Sequence, residues 1–221
     1  MNLSHAATGF GLGIALGVSP GPVQLLLLTE AARGGVARGF RAMAGANGTF
    51  LVLLLLLAAG FSAIAPTGTA IRVLEILGGA FLLFVAVDAA REALRGDDVR
   101  NAEAAAERAR QEARSGVRAA VVAHPATRGV VAVLLNPGSW LFLATTASAL
   151  LANAVDDGGR PAAFVTAIAL MAGVSVMDGI TVLLGGGSAL LTGRAGRWIR
   201  LGLTGVLGAI GVVFVVRGIA G

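Results

Sequence analysis

The sequence contains no cysteine, no tyrosine and no lysine among its 221 residues, and only two histidines. The missing cysteine excludes disulfide bonds and thiolate metal sites. Few side chains remain for metal binding, haem ligation or acid–base chemistry. An enzyme is disfavoured as well, because no serine–histidine pair, metal cluster or carboxylate dyad lies within the apolar segments. The sequence therefore predicts neither a cofactor nor a bound metal.

Charge is also scarce: 13% of the residues are charged, and 56% are hydrophobic. A soluble domain carries about a quarter charged residues. The mean hydropathy is +0.84, and no charge precedes Glu30. Further charge-free stretches cover residues 42–71, 129–155, 161–177 and 201–216. Because about 18 or more consecutive apolar residues indicate a transmembrane helix, we predict an all-α, polytopic membrane protein.

The charges divide the chain into six predicted spans. The first lacks a basic leader and a clear cleavage site, which favours a retained span over a signal peptide. The spans are placed near residues 6–29, 43–65, 70–90, 130–154, 162–184 and 199–217.

The arginines predict an orientation. Most of them lie in the loops after the first, third and fifth spans, and positively charged short loops stay in the cytoplasm. Both termini are therefore expected outside the inner (cytoplasmic) membrane. The net charge of +5 lies at span ends and is no nucleic-acid signal. Residues 91–128 form a predicted cytoplasmic linker whose arginines can contact anionic headgroups, and a regulatory role is left open.

Two segments of the chain repeat each other. Residues 19–29 read SPGPVQLLLLT, and residues 136–146 read NPGSWLFLATT. Each lies in the first span of a three-span set, so residues 1–90 and 129–221 are predicted to be repeats of opposite orientation, joined by the linker. Matched interruptions in inverted repeats mark the binding sites of secondary transporters.

Proline and glycine explain what these motifs do inside an apolar span. Proline removes an amide donor and clashes with the preceding turn, and the freed backbone groups must find polar partners within lipid. The second half-helix then begins with a partial positive charge, which suits a carboxylate. Pro22 is well placed in such a first turn. The alternative is that both motifs merely kink packed helices.

At these residues the sequence resembles the LysE/RhtB family of amino-acid exporters. The resemblance rests on SPGP, on LEILGGAFLLFVAVDAAREALRG in the third span, and on RGVVAVLLNPGSWLFLA opening the second half. It implies a six-span carrier that expels amino acids or similar small solutes, using the proton gradient. Two departures are visible. Gly138 and Ser139 stand where family members often carry lysine or arginine, and Asn47 and Thr49 stand where many carry an acid or histidine.

Asp178 is an acidic residue inside an apolar run, where a carboxylate costs about 2.5–3.5 kcal/mol on insertion scales. The resemblance places it on an aspartate often found in the fifth span. We expect it to couple a proton or to bind the ammonium group of a substrate. A structural hydrogen bond, or a position near the cytoplasmic end of its span, is the alternative.

The other candidate residues surround the two motifs. Gln24 and Asn47 either line a cavity or form hydrogen bonds between helices. Trp140 either lines the same cavity or packs between helices. Glu30 and Arg33 are interpreted as an ion pair at a span end. The glycine rows Gly9–Gly13–Gly17 and Gly205–Gly208–Gly211 are interpreted as close-packing faces. The predicted substrate-binding residues are Ser19, Pro20, Gly21, Pro22, Gln24, Asn47, Asn136, Pro137, Gly138 and Trp140.

The expected partners are a small-molecule substrate, protons and the lipid bilayer, with no nucleic acid. Assembly into a homo-oligomer is compatible with the sequence. Two alternative functions remain: an accessory protein for lipid or envelope export, and a cation permease of the same superfamily. The first would give no substrate flux but a stable protein partner.

Overall fold

The computed structural model describes residues 3–18, 21–60, 69–95, 124–189 and 193–220. All elements in these ranges are helical, so the all-α prediction is confirmed for them. Most of the predicted linker lies outside the described residues. The elements are α1 (Leu3–Val18), α2 (Pro22–Ala58), α3 (Thr69–Arg95), α4 (Pro125–Leu134), α5 (Pro137–Phe142), a π-helical turn (Leu143–Ala147), α6 (Ser148–Ala189) and α7 (Gly193–Ala220).

Several helices are long and apolar enough to cross a bilayer, which makes the chain a multi-pass membrane protein. Within the described ranges four stretches qualify: Pro22–Ala58, Thr69–Arg91, Pro137–Gly187 and Leu201–Ala220. Shorter apolar helices cover Ser4–Val18 and Pro125–Leu134. Large apolar side chains such as Leu184, which is 68% exposed, point outward, as lipid-facing residues do.

The helix α2 is a hairpin rather than one rod. Gly34 and Gly35 have non-helical dihedrals, and Gly35 has a φ of 77°, in the left-handed region that glycine tolerates. Beyond this point Gly39 packs directly on Ala31, although eight residues of continuous helix would separate them by about 12 Å. We call residues 22–33 α2a and residues 36–58 α2b. This turn lies between the predicted first and second spans.

A second glycine interrupts α6. Gly159 has a φ of 69° and is followed by Pro161 inside the helix. The 42 residues of α6 would extend about 63 Å if straight, twice the thickness of the hydrocarbon core. We call residues 148–158 α6a and residues 160–189 α6b. This interruption lies between the predicted fourth and fifth spans.

The helices α1 and α2a together follow α6b in the same direction. Gly9 packs on Thr166, Gly17 packs on Met177, and Gly185 packs on Leu28. The contacts advance in step along both partners, so α1 and α2a form one interrupted helix beside α6b. Gly13 also contacts α6b, so the prediction of a close-packing face at Gly9, Gly13 and Gly17 is confirmed.

The helices α3 and α7 pack against each other in opposite directions. Gly79 contacts Gly211 and Val215, whereas Gly218 contacts Arg72. Within the second glycine row, Gly211 therefore serves close packing, as predicted. For Gly205 the prediction is wrong, because no atom of another helix among the described residues lies within 4 Å of the position its Cβ would take.

Candidate functional site

The first interruption lies between α1 and α2a. Pro22 opens α2a after Gly21, whose backbone is extended (φ −115°, ψ 174°). The amide of Gly21 donates to the Gln24 Oε1 atom at 3.3 Å, and the Gln24 Nε2 atom donates to the Gly17 carbonyl oxygen. One side chain thereby pairs with backbone groups on both sides of the interruption. Ser19 and Pro20 lie outside the described residues.

The second interruption, between α4 and α5, has the same construction. Pro137 opens α5, and the side-chain oxygen of Asn136 accepts from the Gly138 amide at 3.0 Å. The Asn136 Nδ2 atom donates to the Ser139 Oγ atom at 3.0 Å. The Trp140 indole donates to the Leu134 carbonyl oxygen at 2.9 Å. Here too, amide and indole side chains satisfy the backbone groups that the interruption frees.

A cavity of about 300 Å³ lies between the two interruptions. Both motifs line it, so the structure brings together residues that are more than a hundred positions apart in the chain. Pro137 and Trp140 are absent from its lining. The predicted residues that do line it are Gly21, Pro22, Gln24, Asn47, Asn136, Gly138 and Asp178.

Asp178 supplies the carboxyl group of this cavity from α6b. Asp178 is only 3% exposed, and the side chains of Gln24 and Asn47 are its polar neighbours in the cavity. The Asn47 Nδ2 atom also donates to the Ser175 Oγ atom at 3.2 Å. Gln24 therefore connects Asp178 with the first interruption, while Asn47 connects it with α2b.

The remaining wall of the cavity is apolar. Phe50 and Phe142 form a tilted aromatic pair with ring centroids 6.0 Å apart, and Leu16, Val23, Val133, Val174 and Phe214 complete the wall. No arginine belongs to the described lining. The part of the chain that the structure describes also contains no group of three metal-ligating side chains. The cavity therefore combines one carboxyl group and a few amides with an apolar wall.

Sequence reasoning missed a second polar cluster near the cavity, which we call the ion network. Its members are Glu30, Arg33, Arg38, Asp88 and Arg128. Glu30 and Arg33 were expected to form a span-end pair, and Arg128 was counted with the linker. The pair between Glu30 and Arg33 is confirmed, at 3.2 Å, but it is buried within the larger cluster: Glu30 is 0% and Arg128 is 2% exposed. The available signal was Asp88, an acid within the predicted third span.

The fold and the cavity define a multi-pass membrane protein with a mostly apolar cavity between interrupted helices, into which one buried carboxyl group projects. The family model of the LysE type translocator matches residues 14–218. The chain therefore belongs to this family, whose members transport small solutes across membranes, and the resemblance seen in the sequence is confirmed.

One curated relative is an uncharacterized membrane protein of Pseudomonas aeruginosa. It is 34% identical over 124 residues, which cover 56% of this chain and 53% of the relative. The chain thus spans about half the length of this relative. No solved structure matches the chain.

Proposed function

We propose that the protein is a secondary transporter that exports amino acids, or related small solutes with an amino group, across the inner membrane in exchange for protons. The observation that carries this proposal is the position of Asp178 in a cavity lined by both interruptions. A carboxylate in a mostly apolar site within the membrane usually serves an ion or proton pathway.

The two ends of an amino acid find different partners in the proposed complex. The ammonium group pairs with Asp178. The carboxylate lies toward the first turns of α2a and α5, whose free amides give these ends a partial positive charge. There it displaces the amide oxygens of Gln24 and Asn136, which hold the Gly21 and Gly138 amides in the structure. Ser19, Pro20 and Pro137 complete the proposed binding segments.

Proton coupling follows from the same carboxyl group. Asp178 holds either a proton or the ammonium group, because a neutral carboxylic acid no longer attracts a cation. Release of the substrate outside then allows protonation, and loss of that proton to the cytoplasm prepares the site for the next substrate. An amine is favoured over a soft transition-metal ion, because the described lining of the cavity offers neither a thiolate nor an imidazole.

The proposed mechanism is alternating access between two inverted three-span halves, residues 1–90 and 129–221, joined by the linker 91–128. The opposed directions of α3 and α7 support this, because equivalent third spans of inverted halves run in opposite directions. The arginine-rich ends face the cytoplasm in this arrangement, and both termini lie outside.

Flux measurements in proteoliposomes test the proposal. The purified protein is reconstituted with internal radiolabelled leucine, threonine, lysine or arginine, and efflux is followed with and without a proton gradient. We expect gradient-dependent efflux of at least one of them, and its loss in Asp178→Asn. Asp156→Asn, an exposed acid on α6a, is the matched control. Full gradient-dependent efflux in Asp178→Asn would contradict the coupling role.

A further inference from the structure

The ion network lies beyond one end of the cavity. Along α2a, Glu30 follows the cavity residue Gln24 by six positions, and along α4, Arg128 precedes Asn136 by eight. At 1.5 Å per residue these separations are about 9 and 12 Å. The layer between them is buried and mostly apolar: it contains Leu26, Leu27, Ala132 and Val182, with Thr29 as a buried polar residue. The network is therefore a separate layer next to the cavity.

The network joins parts of the chain that are distant in sequence. Glu30 and Arg33 lie at the end of α2a, Arg38 lies at the start of α2b, Asp88 lies in α3, and Arg128 lies in α4. All of these positions adjoin the turn at Gly34–Gly35 or the two ends of the predicted linker. In the proposed orientation this is the cytoplasmic side of the cavity.

Two guanidinium groups bridge the same two carboxylates. Arg128 contacts Glu30 Oε1 and Asp88 Oδ2, each at 2.7 Å. Arg33 contacts the same oxygen atoms at 3.2 and 2.9 Å. Arg38 adds a contact to Glu30 Oε2 at 2.7 Å. Arg128 is the last residue of the predicted linker and lies on α4, which continues into the second half, so these bridges connect the first half of the chain with the start of the second.

A buried ion network is a poor device for stability alone. Apolar side chains of similar volume often stabilise a protein as well or better, whereas removing a single partner is costly. Ion pairs that become hydrated contribute little to stability. Such a network therefore suits a contact that exists in two discrete states, dry and paired or wet and separated, as ion pairs do at interfaces that repack.

We propose that the ion network is the cytoplasmic gate of the transporter, and that the structure shows this gate closed. Opening separates Arg128 on α4 from Glu30 on α2a, hydrates all five charges and admits the cytoplasm to the cavity. The inference rests on the proposed transport function for the identity of the cargo and for the side on which the gate lies.

Cysteine labelling tests the gate without a transport assay. Because the sequence contains no cysteine, Ser139→Cys introduces a single thiol into the cavity lining. The rate of its reaction with a membrane-impermeant maleimide is measured in inside-out vesicles. The same variant is then combined with Glu30→Gln, which removes the central charge and keeps the side chain's shape. Glu75→Gln, which removes one charge from the peripheral pair with Arg217, is the control.

We expect Glu30→Gln to raise the labelling rate from the cytoplasmic face at least about tenfold, a shift of about 1.4 kcal/mol in the gate equilibrium. Glu75→Gln leaves the rate unchanged. If Glu30→Gln fails to fold, Arg38→Gln replaces it with the same expectation, since Arg38 is the most exposed arginine of the network. An unchanged rate, or an increase only from the opposite face, overturns the gate.

The labelling experiment and the transport experiment can each overturn one proposal without the other. A faster reaction in Glu30→Gln, together with no efflux of any tested amino acid from the parent protein, supports the gate and overturns the proposed cargo. Normal efflux with an unchanged labelling rate overturns the gate and leaves the proposed function standing.

Discussion

Gln24 closes the first interruption of the membrane helix by itself: it accepts a hydrogen bond from the Gly21 amide at 3.3 Å and donates one to the Gly17 carbonyl. At the second interruption, Asn136 accepts from the Gly138 amide and the Trp140 indole donates to the Leu134 carbonyl oxygen. At both breaks, side chains of the protein itself pair with the freed backbone groups. In the proposed complex a carboxylate oxygen of the substrate takes the place of the amide oxygen of Gln24 or Asn136 as the acceptor of these backbone amides.

Gln24→Leu tests this pairing. Leucine has a similar volume but no polar atoms, so it leaves the Gly21 amide and the Gly17 carbonyl without their partner. We expect a loss of about 1–3 kcal/mol of stability per unsatisfied group, seen as a lower unfolding temperature in detergent. Asn153→Leu, an amide lost from an exposed position of α6a, is the control. Equal unfolding temperatures for the two variants would contradict the role of Gln24.

A glycine pair on α1 tests the packing that supports the site. A Cβ atom on Gly13 would lie 2.9 Å from the Val174 amide nitrogen and 3.0 Å from the Leu170 carbonyl carbon. Gly13→Ala therefore forces α1 away from α6b, and we expect a loss of about 1–3 kcal/mol from overpacking. The matched control is Gly11→Ala on the same helix, where no described residue outside α1 lies within 4 Å of the added Cβ. It should be neutral or stabilising by up to about 1 kcal/mol.

Thermal unfolding in detergent measures both glycine variants against the parent protein. Destabilisation by both substitutions to the same extent would mean that loss of glycine itself matters, rather than contact with α6b. That result would contradict the parallel packing of α1 and α6b.

Local chemistry explains what the sequence predicts well. Proline and glycine interrupt a helix wherever they lie, so the motifs at Gly21–Pro22 and Asn136–Pro137 indicate the helix starts that the structure has. The distribution of charged residues is equally informative. Charge-free runs predict the membrane segments, and Asp178 is an acid inside one of these apolar segments. These properties depend on the residues themselves and on their nearest neighbours.

The remaining features depend on tertiary contacts. The bond between Arg128 and Glu30 joins residues 98 positions apart, and nothing near either residue indicates it. The sequence leaves open whether Trp140 lines the cavity or packs between helices. In the structure Trp140 is absent from the cavity lining, and its indole donates to the Leu134 carbonyl oxygen. Arg128 shows the same limit, because an arginine near a predicted span end looks identical in sequence whether it faces water or a buried carboxylate.

Arg128 also supports a stability prediction. Arg128→Met keeps an apolar stem but leaves Glu30 with one bridge fewer in a fully buried position. Removing one partner of a buried ion pair costs about 3–5 kcal/mol. Arg217→Met is the control, because Arg217 is 69% exposed and 3.8 Å from Glu75. Exposed pairs contribute about 0–1 kcal/mol.

Unfolding of the two arginine variants in detergent provides the comparison. We expect the unfolding temperature to fall clearly in Arg128→Met and to change little in Arg217→Met. Similar values in both variants would show that the buried guanidinium contributes no more than a surface charge.

The cavity itself is tested by filling it. Val174 lines the cavity on α6b, whereas Val176, two positions further on, is 47% exposed on the outer face. Val174→Trp places an indole inside the volume of about 300 Å³, and Val176→Trp places one toward lipid. Binding is measured by isothermal calorimetry with whichever of leucine, threonine, lysine or arginine the parent protein exports. We expect Val174→Trp to weaken the binding affinity at least about tenfold, or 1.4 kcal/mol. Val176→Trp should leave the affinity unchanged, and both variants should fold. Unaltered binding in a folded Val174→Trp protein would place the substrate outside this cavity. It would also contradict the role assigned to Asp178.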